Sequence, residues 1–201
     1  MSYLVTNDMK IGLVIMASGL SKRFGRNKLM EDLGGKPLIQ WIFDATDDLF
    51  SKRVVVTRNN EVKDLCDKLN ISCIIHDMPN RDDTVRIGLS ALMDDVDYCF
   101  FTPGDQPLID KATMSNLIKM AGEHNNEIVR LCFGETEGSP VGFPKSLFEE
   151  LLNLPEGKGG NVVVKNNPAR VHPVMANREY ELWDVDTMSD LDKIKSRILP
   201  N

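Results

Sequence analysis

Residues 11–28 read Ile11-Gly12-Leu13-Val14-Ile15-Met16-Ala17-Ser18-Gly19-Leu20-Ser21-Lys22-Arg23-Phe24-Gly25-Arg26-Asn27-Lys28. Ile11 to Met16 is an apolar run of strand length, and it passes directly into a loop of small residues, two glycines and four cations. Small residues let the backbone approach a ligand, and successive N–H groups can line a concave nest for anionic oxygens. Arg23 offers a fork to phosphate oxygens, whereas Lys28 offers a point charge suited to charge developing in a transition state. A solvated basic surface loop fits the composition equally well. The spacing is neither a Walker A loop nor a dinucleotide G-x-G-x-x-G fingerprint. Further on, Leu33-Gly34-Gly35-Lys36-Pro37-Leu38 places Lys36 just before an amphipathic stretch, where it either reaches the same ligand or occupies a turn.

Outward from this loop, short apolar runs alternate with stretches of helical spacing, the pattern of strand and helix units around a mostly parallel sheet. Strands are expected at Ile11 to Met16, Arg53 to Thr57, Ser72 to His76, Tyr98 to Thr102 and Ile128 to Phe133, all rich in Val, Ile or Phe. Helices are expected at Pro37 to Leu49, Glu61 to Leu69, Asp83 to Met93, Lys111 to Gly122, Lys145 to Leu152 and Ser189 to Ile198. The span Gly134 to Pro173 carries six of the fourteen glycines and reads as an irregular insertion or lid near the active face. Residues 1–9 read as an N-terminal tail and 10–201 as one domain, since 201 residues suffice for one sizeable core.

Thr102-Pro103-Gly104-Asp105-Gln106-Pro107-Leu108-Ile109 follows the run Tyr98 to Phe101 and puts Asp105 at a carboxyl end of the sheet, where open α/β sheets bind ligands. A carboxylate there suits Mg, which takes one or two protein carboxylates beside phosphate oxygens and water. Capping of the following helix is the alternative role for Asp105. In Trp183-Asp184-Val185-Asp186-Thr187-Met188-Ser189-Asp190, Asp186 is expected just after a short strand, with Asp184 on the same face but further from its mouth. Thr187 or Ser189 caps the last helix.

The net charge of −6 argues against a general grip on nucleic acid or an anionic membrane, so an anionic ligand needs a local site. Cys66, Cys73, Cys99 and Cys132 show no C-x-x-C pair and read as reduced thiols. Met1 to Met9 lacks the pattern of a signal peptide and no run reaches a membrane span, which gives a cytoplasmic expectation. His76, His124 and His172 are scattered without ligand spacing and receive no role, and the ten methionines read as core filling.

Ala17-x-Gly19-x-Ser21-x-Arg23-x-Gly25-x-x-Lys28 followed by Gly35-Lys36-Pro37-Leu38 resembles the opening of nucleotidyltransferases of the molybdenum cofactor type and, more distantly, of sugar and polyol phosphate nucleotidyltransferases. The Gly104-Asp105-Gln106-Pro107-Leu108-Ile109 motif is more similar to the cytidylyltransferase branch than to the guanylyltransferase branch. Gly138-Ser139-Pro140-Val141-Gly142 and Gly157-Lys158-Gly159-Gly160 match later motifs of the family, so the resemblance runs from residue 10 to about residue 195. It implies a single-domain Rossmann-like α/β fold with helices on both faces of a mostly parallel central sheet. It also implies a triphosphate cradle of Ala17, Ser18, Gly19, Ser21, Arg23, Lys28 and Lys36, with Mg on Asp105 and Asp186. Lys28, Arg23 and Asp105 would be the catalytic groups. The implied substrates are CTP or another nucleoside triphosphate and a molybdopterin-type acceptor, with a molybdenum hydroxylase or its accessory protein as recipient.

Three departures qualify the resemblance. Ser18 replaces an alanine and puts a hydroxyl where the family selects the nucleobase. Thr84 replaces a serine at a helix start and either holds the nucleoside or caps the helix. Gly157-Lys158-Gly159-Gly160 lacks the acidic residue of Gly-Asp-Lys-Gly, for which the neighbouring Glu156 is the candidate substitute. Two other readings compete with molybdopterin cytidylyl transfer: nucleotidyl transfer to a sugar or polyol phosphate or from GTP, and non-catalytic delivery of a finished cofactor.

Overall fold

The computed structural model describes residues 9–21 and 23–198. The strands in chain order are β1 (Ile11–Ala17), β2 (Lys52–Thr57), β3 (Cys73–Ile75), β4 (Tyr98–Pro103), β5 (Ile128–Phe133), β6 (Thr136–Pro144) and β7 (Val171–Met175). The α-helices are α1 (Leu38–Ala45), α2 (Asn60–Lys68), α3 (Arg81–Ser90), α4 (Lys111–Glu123), α5 (Phe148–Leu152), α6 (Asn161–Asn166) and α7 (Met188–Ile198). The strands form one sheet in the order β3-β2-β1-β4-β6-β5-β7, parallel throughout except for β6, which runs antiparallel to both neighbours.

Alternation along the central strands builds a separate core on each face of the sheet. Leu13, Ile15, Val55, Tyr98 and Phe100 point to one side, where they meet α1, α2, α4 and α7. Val14, Val54, Val56, Cys99 and Phe101 point to the other, against α3, α5 and α6. The fold is thus Rossmann-like, with helices on both faces. No described helix is long and apolar enough to cross a membrane. The expected tail, apart from Met9, lies outside the described residues; Met9 packs against the core.

Local capping sets the helix ends. The Asn59 side chain accepts from the Glu61 N–H at 2.8 Å to start α2, and the Asp110 side chain accepts from the Thr113 N–H at 2.8 Å to start α4. Asp83 accepts from the Asn80 N–H at 3.0 Å, so α3 begins before the expected Asp83. The stretch expected as a helix from Pro37 to Leu49 is helical only over Leu38–Ala45, because the Thr46 hydroxyl turns back onto the Ile42 carbonyl at 2.7 Å and Asp48 takes a left-handed conformation at φ 56°. Thr187 starts α7: its hydroxyl accepts from the Asp190 N–H at 3.3 Å while Asp190 accepts from the Thr187 N–H at 2.7 Å.

The largest correction concerns Gly134 to Pro173. It is no irregular lid: after a turn at Gly134, with φ 57°, the chain forms β6 inside the sheet, then α5, α6 and β7. Glycines hid the strand, and packing requires them. A Cβ at Gly142 would lie 2.5 Å from both Phe100 Cε1 and Tyr98 Cε1, so large aromatic rings on β4 occupy the room that a β6 side chain would need. The short strand expected before Asp186 is absent from the described residues; a 3-10 turn, Glu179–Leu182, and an irregular segment stand there. Nor are the histidines all scattered, since His124 and His172 stack with ring centroids 3.6 Å apart.

Close helix–sheet contact at Gly88 yields a test. A Cβ there would sit 2.4 Å from Val14 Cγ1, and overpacking of this kind costs about 1–3 kcal/mol, more than the roughly 1 kcal/mol that Ala gains over Gly in a helix. Gly88→Ala is expected to lower the unfolding free energy in denaturant titration. A stabilised variant would mean that α3 does not press on β1 in this way.

Candidate active site

The loops after β1 and β4 leave the sheet side by side, because Met16 pairs with Pro103 and the Gly104 N–H donates to the Met16 carbonyl at 3.0 Å. A third segment, 183–186, joins them through the Val185 N–H, which donates to the Asp105 carbonyl at 3.0 Å. Asp110 takes the cap of α4, so the Asp105 side chain is left free of that duty and faces the cleft.

Lys28 lies at the centre, only 7% exposed and starting the 3-10 turn Lys28–Met30. Its Nζ is 2.6 Å from Asp105 Oδ2 and donates to Asp186 Oδ1 at 2.9 Å. Arg23 Nη2 donates to the other oxygen of Asp186 at 2.6 Å. Burial on its own pushes the Lys28 ammonium down, but Asp105 and Asp186 more than offset it and hold the group above its ordinary range. Reciprocally, the hydrogen bond from Lys28, then the charges of Lys28 and Arg23, hold Asp186 below the usual carboxylate range.

The loop is shaped from within by Ser21. At φ 48°, its carbonyl accepts from the N–H groups of Phe24 at 2.9 Å and Gly25 at 3.1 Å, while its hydroxyl accepts from the Lys28 N–H at 3.4 Å. Phe24 anchors the turn in the core. Ala17, Gly19, Ser21, Arg23 and Lys28 line one part of the cleft together with Asp105 and Asp186. Ser18 and Thr84 line its wider continuation.

Thr84 is 3% exposed within α3, is not that helix's cap, and lines the cleft wall. The Ser18 hydroxyl is within hydrogen-bonding distance of the Val56 carbonyl at 3.1 Å and of His76 Nε2 at 2.8 Å. His76 is held below its ordinary pKa by burial, then by the charge of Arg58. Lys36 does not join the site: its ammonium pairs with Asp44 and sits 4.0 Å over the Trp41 ring, against α1.

Asp184 stands in an irregular segment, not in the expected strand, and does not line the part of the cleft around Lys28. It lines the wide part of the cleft beside Asp186 and accepts from Gln106 Nε2 at 2.6 Å. Displacement of water by the surrounding protein raises its pKa first, and the nearby charge of Asp105 adds to this. Sequence reading also passed over Arg58 and Arg81, two further cations on the cleft wall. Arg58 directly follows β2 and Arg81 opens α3, so both stand at the carboxyl edge of the sheet where ligands gather. Glu156 turns to Asn80, whose side-chain amide donates to it at 3.2 Å, and the Gly157 N–H donates to Asp82 at 2.7 Å. This docks the glycine-rich segment on the start of α3, where Arg81, Ser139, Gly160 and Asn161 line an adjoining hollow.

Comparison with known proteins bears on what this cleft belongs to. A protein named "Probable molybdenum cofactor guanylyltransferase" from Pyrococcus furiosus is 28% identical over 205 residues, covering 94% of this chain and 98% of the relative. A 3-deoxy-manno-octulosonate cytidylyltransferase from Trichlorobacter lovleyi is 31% identical over 113 residues, 55% of this chain and 44% of the relative. The chain thus spans about half the length of several curated relatives it matches, with 55% for a 2-C-methyl-D-erythritol 4-phosphate cytidylyltransferase from Endomicrobium trichonymphae. The structure of a nucleotidyl transferase from Methanothermobacter thermautotroptrophicus superposes with a TM-score of 0.80 at 22% identity, covering 94% of this chain and 97% of that one, which supports the fold. The family model described as the MobA-like NTP transferase domain matches residues 13–174, from β1 into β7 and including the whole loop around Lys28, and the chain belongs to that family.

Proposed function

We propose that this protein transfers a nucleotidyl group from a nucleoside triphosphate to an acceptor phosphate and releases pyrophosphate, with magnesium held by Asp105 and Asp186. The observation that carries the reading is the shared cation: two aspartates far apart in the sequence converge on the ammonium of Lys28 at 2.6 and 2.9 Å. An all-oxygen pair already organised around positive charge fits magnesium, which binds few carboxylates and completes its shell with phosphate oxygens and water. When bound, magnesium supplies charge stabilisation to the phosphate oxygens.

The protein's own groups do the rest by position and charge. Lys28 leaves the carboxylates for the triphosphate, while Arg23 forks onto its oxygens and the loop N–H groups line it. An oxygen of the acceptor phosphate attacks the α-phosphorus, the bond from that phosphorus to the bridging oxygen breaks, and the electron pair departs with pyrophosphate. Lys28 and Arg23 neutralise that leaving group. No protein nucleophile is required, because a phosphate monoester is already anionic near neutral pH.

For the substrates, we infer CTP and a molybdopterin-type acceptor, giving a cytosine dinucleotide cofactor for a molybdenum hydroxylase in the cytoplasm. The Gly104 to Ile109 motif supports this, as do the cytidylyltransferases among the relatives and the molybdenum cofactor relative that aligns along nearly the whole chain. GTP is the second reading, favoured by the name of that same long relative. We assign discrimination between the bases to Ser18, because it lines the wide part of the cleft, held by Val56 and His76.

Pyrophosphate release, assayed with Mg and each nucleoside triphosphate in the presence and absence of molybdopterin, is expected with CTP plus acceptor. Preference for GTP moves the assignment to the second reading, and no release under any combination contradicts nucleotidyl transfer. Asp105→Asn and Asp186→Asn are each expected to slow turnover on the order of 100-fold or more while the melting temperature stays near that of the parent. Retained turnover in either removes that aspartate from the metal site. Lys28→Gln is expected to slow turnover similarly yet to tighten binding of Mg measured without nucleotide, since the competing ammonium is gone. Weaker Mg binding would refute the competition.

A further inference from the structure

A second cluster lies at the opposite end of the sheet from the cleft, where β5 and β7 begin. His124 follows α4, Glu127 precedes β5 and His172 is the second residue of β7, opposite Val129 in the parallel register. We propose that His124, Glu127 and His172 bind one divalent transition-metal ion of the zinc class, through two imidazole nitrogens and one carboxylate oxygen.

The distances fit such an ion. Glu127 Oε2 is 3.4 Å from His124 Nδ1 and 3.6 Å from His172 Nδ1, and one donor atom from each residue lies within 4.8 Å of the others. Bonds of about 2.0–2.1 Å in a tetrahedral shell place neighbouring ligand atoms about 3.3–3.4 Å apart, so the two carboxylate–imidazole edges need only a few tenths of an ångström. The donor set matters as much as the spacing. Imidazole nitrogens select zinc, copper, nickel or iron over magnesium and calcium, which distinguishes this cluster from the all-oxygen pair Asp105 and Asp186.

The backbone holds these donors in place. The His124 N–H donates to the Met120 carbonyl at 2.8 Å and the Glu127 N–H to the His124 carbonyl at 2.9 Å, closing a tight turn. The carbonyl of Glu127 accepts from the buried Tyr98 hydroxyl at 2.8 Å, which ties that turn to the centre of the sheet. His172 is fixed by strand pairing, but its ring stacks on that of His124 at an interplanar angle of 24°, so binding one ion requires the two rings to swing out of the stack until both in-plane lone pairs meet it. All three side chains are partly exposed, at 28–44%, so an ion can reach them. Three protein ligands leave one position for water, and the ion would join the end of α4 to the edge strand β7.

The test uses the full chain, stripped with chelator and kept in excess Mg so that zinc-class ions do not load the two aspartates. One equivalent of cobalt(II) is expected to bind with the intense visible bands of tetrahedral coordination and to be displaced by zinc. Zinc is expected to shift the imidazole resonances of His124 and His172 and to leave those of His76 in place. His124→Gln, His172→Gln and Glu127→Gln are each expected to weaken binding on the order of 100-fold or more, beyond the loss typical of an outer-shell contact, whereas Asp105→Asn leaves it unchanged. Unmoved resonances in the parent protein, or undiminished affinity in the histidine variants, would overturn the proposal and leave a stacked histidine pair beside Glu127 with no metal.

Discussion

β1 and β4 pair in parallel at the middle of the sheet, from Ile11 opposite Tyr98 to Met16 opposite Pro103, and the site depends on that pairing. From β1 the chain winds one way to β2 and β3; from β4 it winds the other way. The loops that follow the two strands therefore diverge and leave a crevice at the carboxyl edge, as open α/β sheets do where strand order reverses. Lys28 reaches this crevice from the first loop and Asp105 from the second. Asp186 arrives from residues 183–186, which follow the last strand and are held by the Val185 bond to the Asp105 carbonyl.

Charge then does locally what the acidic chain as a whole cannot. A protein of net charge −6 repels a polyphosphate at long range, so attraction must come from cations concentrated in the cleft. Arg23, Lys28, Arg58 and Arg81 supply them, and Asp105 and Asp186 keep Lys28 charged although it is nearly buried. Removing one aspartate leaves Lys28 the other, which separates loss of chemistry from loss of fold. The cluster around Lys28 is a structural tie among three segments and, under the proposed function, the resting state of groups that would bind metal and phosphate.

Much of this was legible in the sequence, for physical reasons. The apolar runs of β1, β2, β4 and β5 are continuous because both faces of these strands are covered. Arg23, Lys28 and Asp105 could be picked out by residue type and by position after strands, whereas Asp186 follows an irregular segment and is marked only by the family resemblance. What misled were effects that only packing reveals. β6 carries Gly142 because rings on β4 fill the space beside it and Gly138 because Leu182 does, so its sequence looks like a loop. Lys36 sits in a loop of the right composition, yet Asp44 and the face of Trp41 draw it toward α1. His124 and His172, distant in sequence, meet only because β5 and β7 are neighbours, a pairing that spacing along the chain does not encode.

Under the proposed function, the cleft of Lys28, Asp105 and Asp186 takes a triphosphate with magnesium. A crystal structure of the protein soaked with CTP and Mg tests it most directly. The expected result is magnesium on Asp105 and Asp186, the triphosphate against Arg23 and the loop Ala17 to Lys28, and the Lys28 ammonium moved from the carboxylates to phosphate oxygens. Nucleotide bound elsewhere, or a Lys28 that still bridges the two aspartates with triphosphate in the cleft, would contradict it.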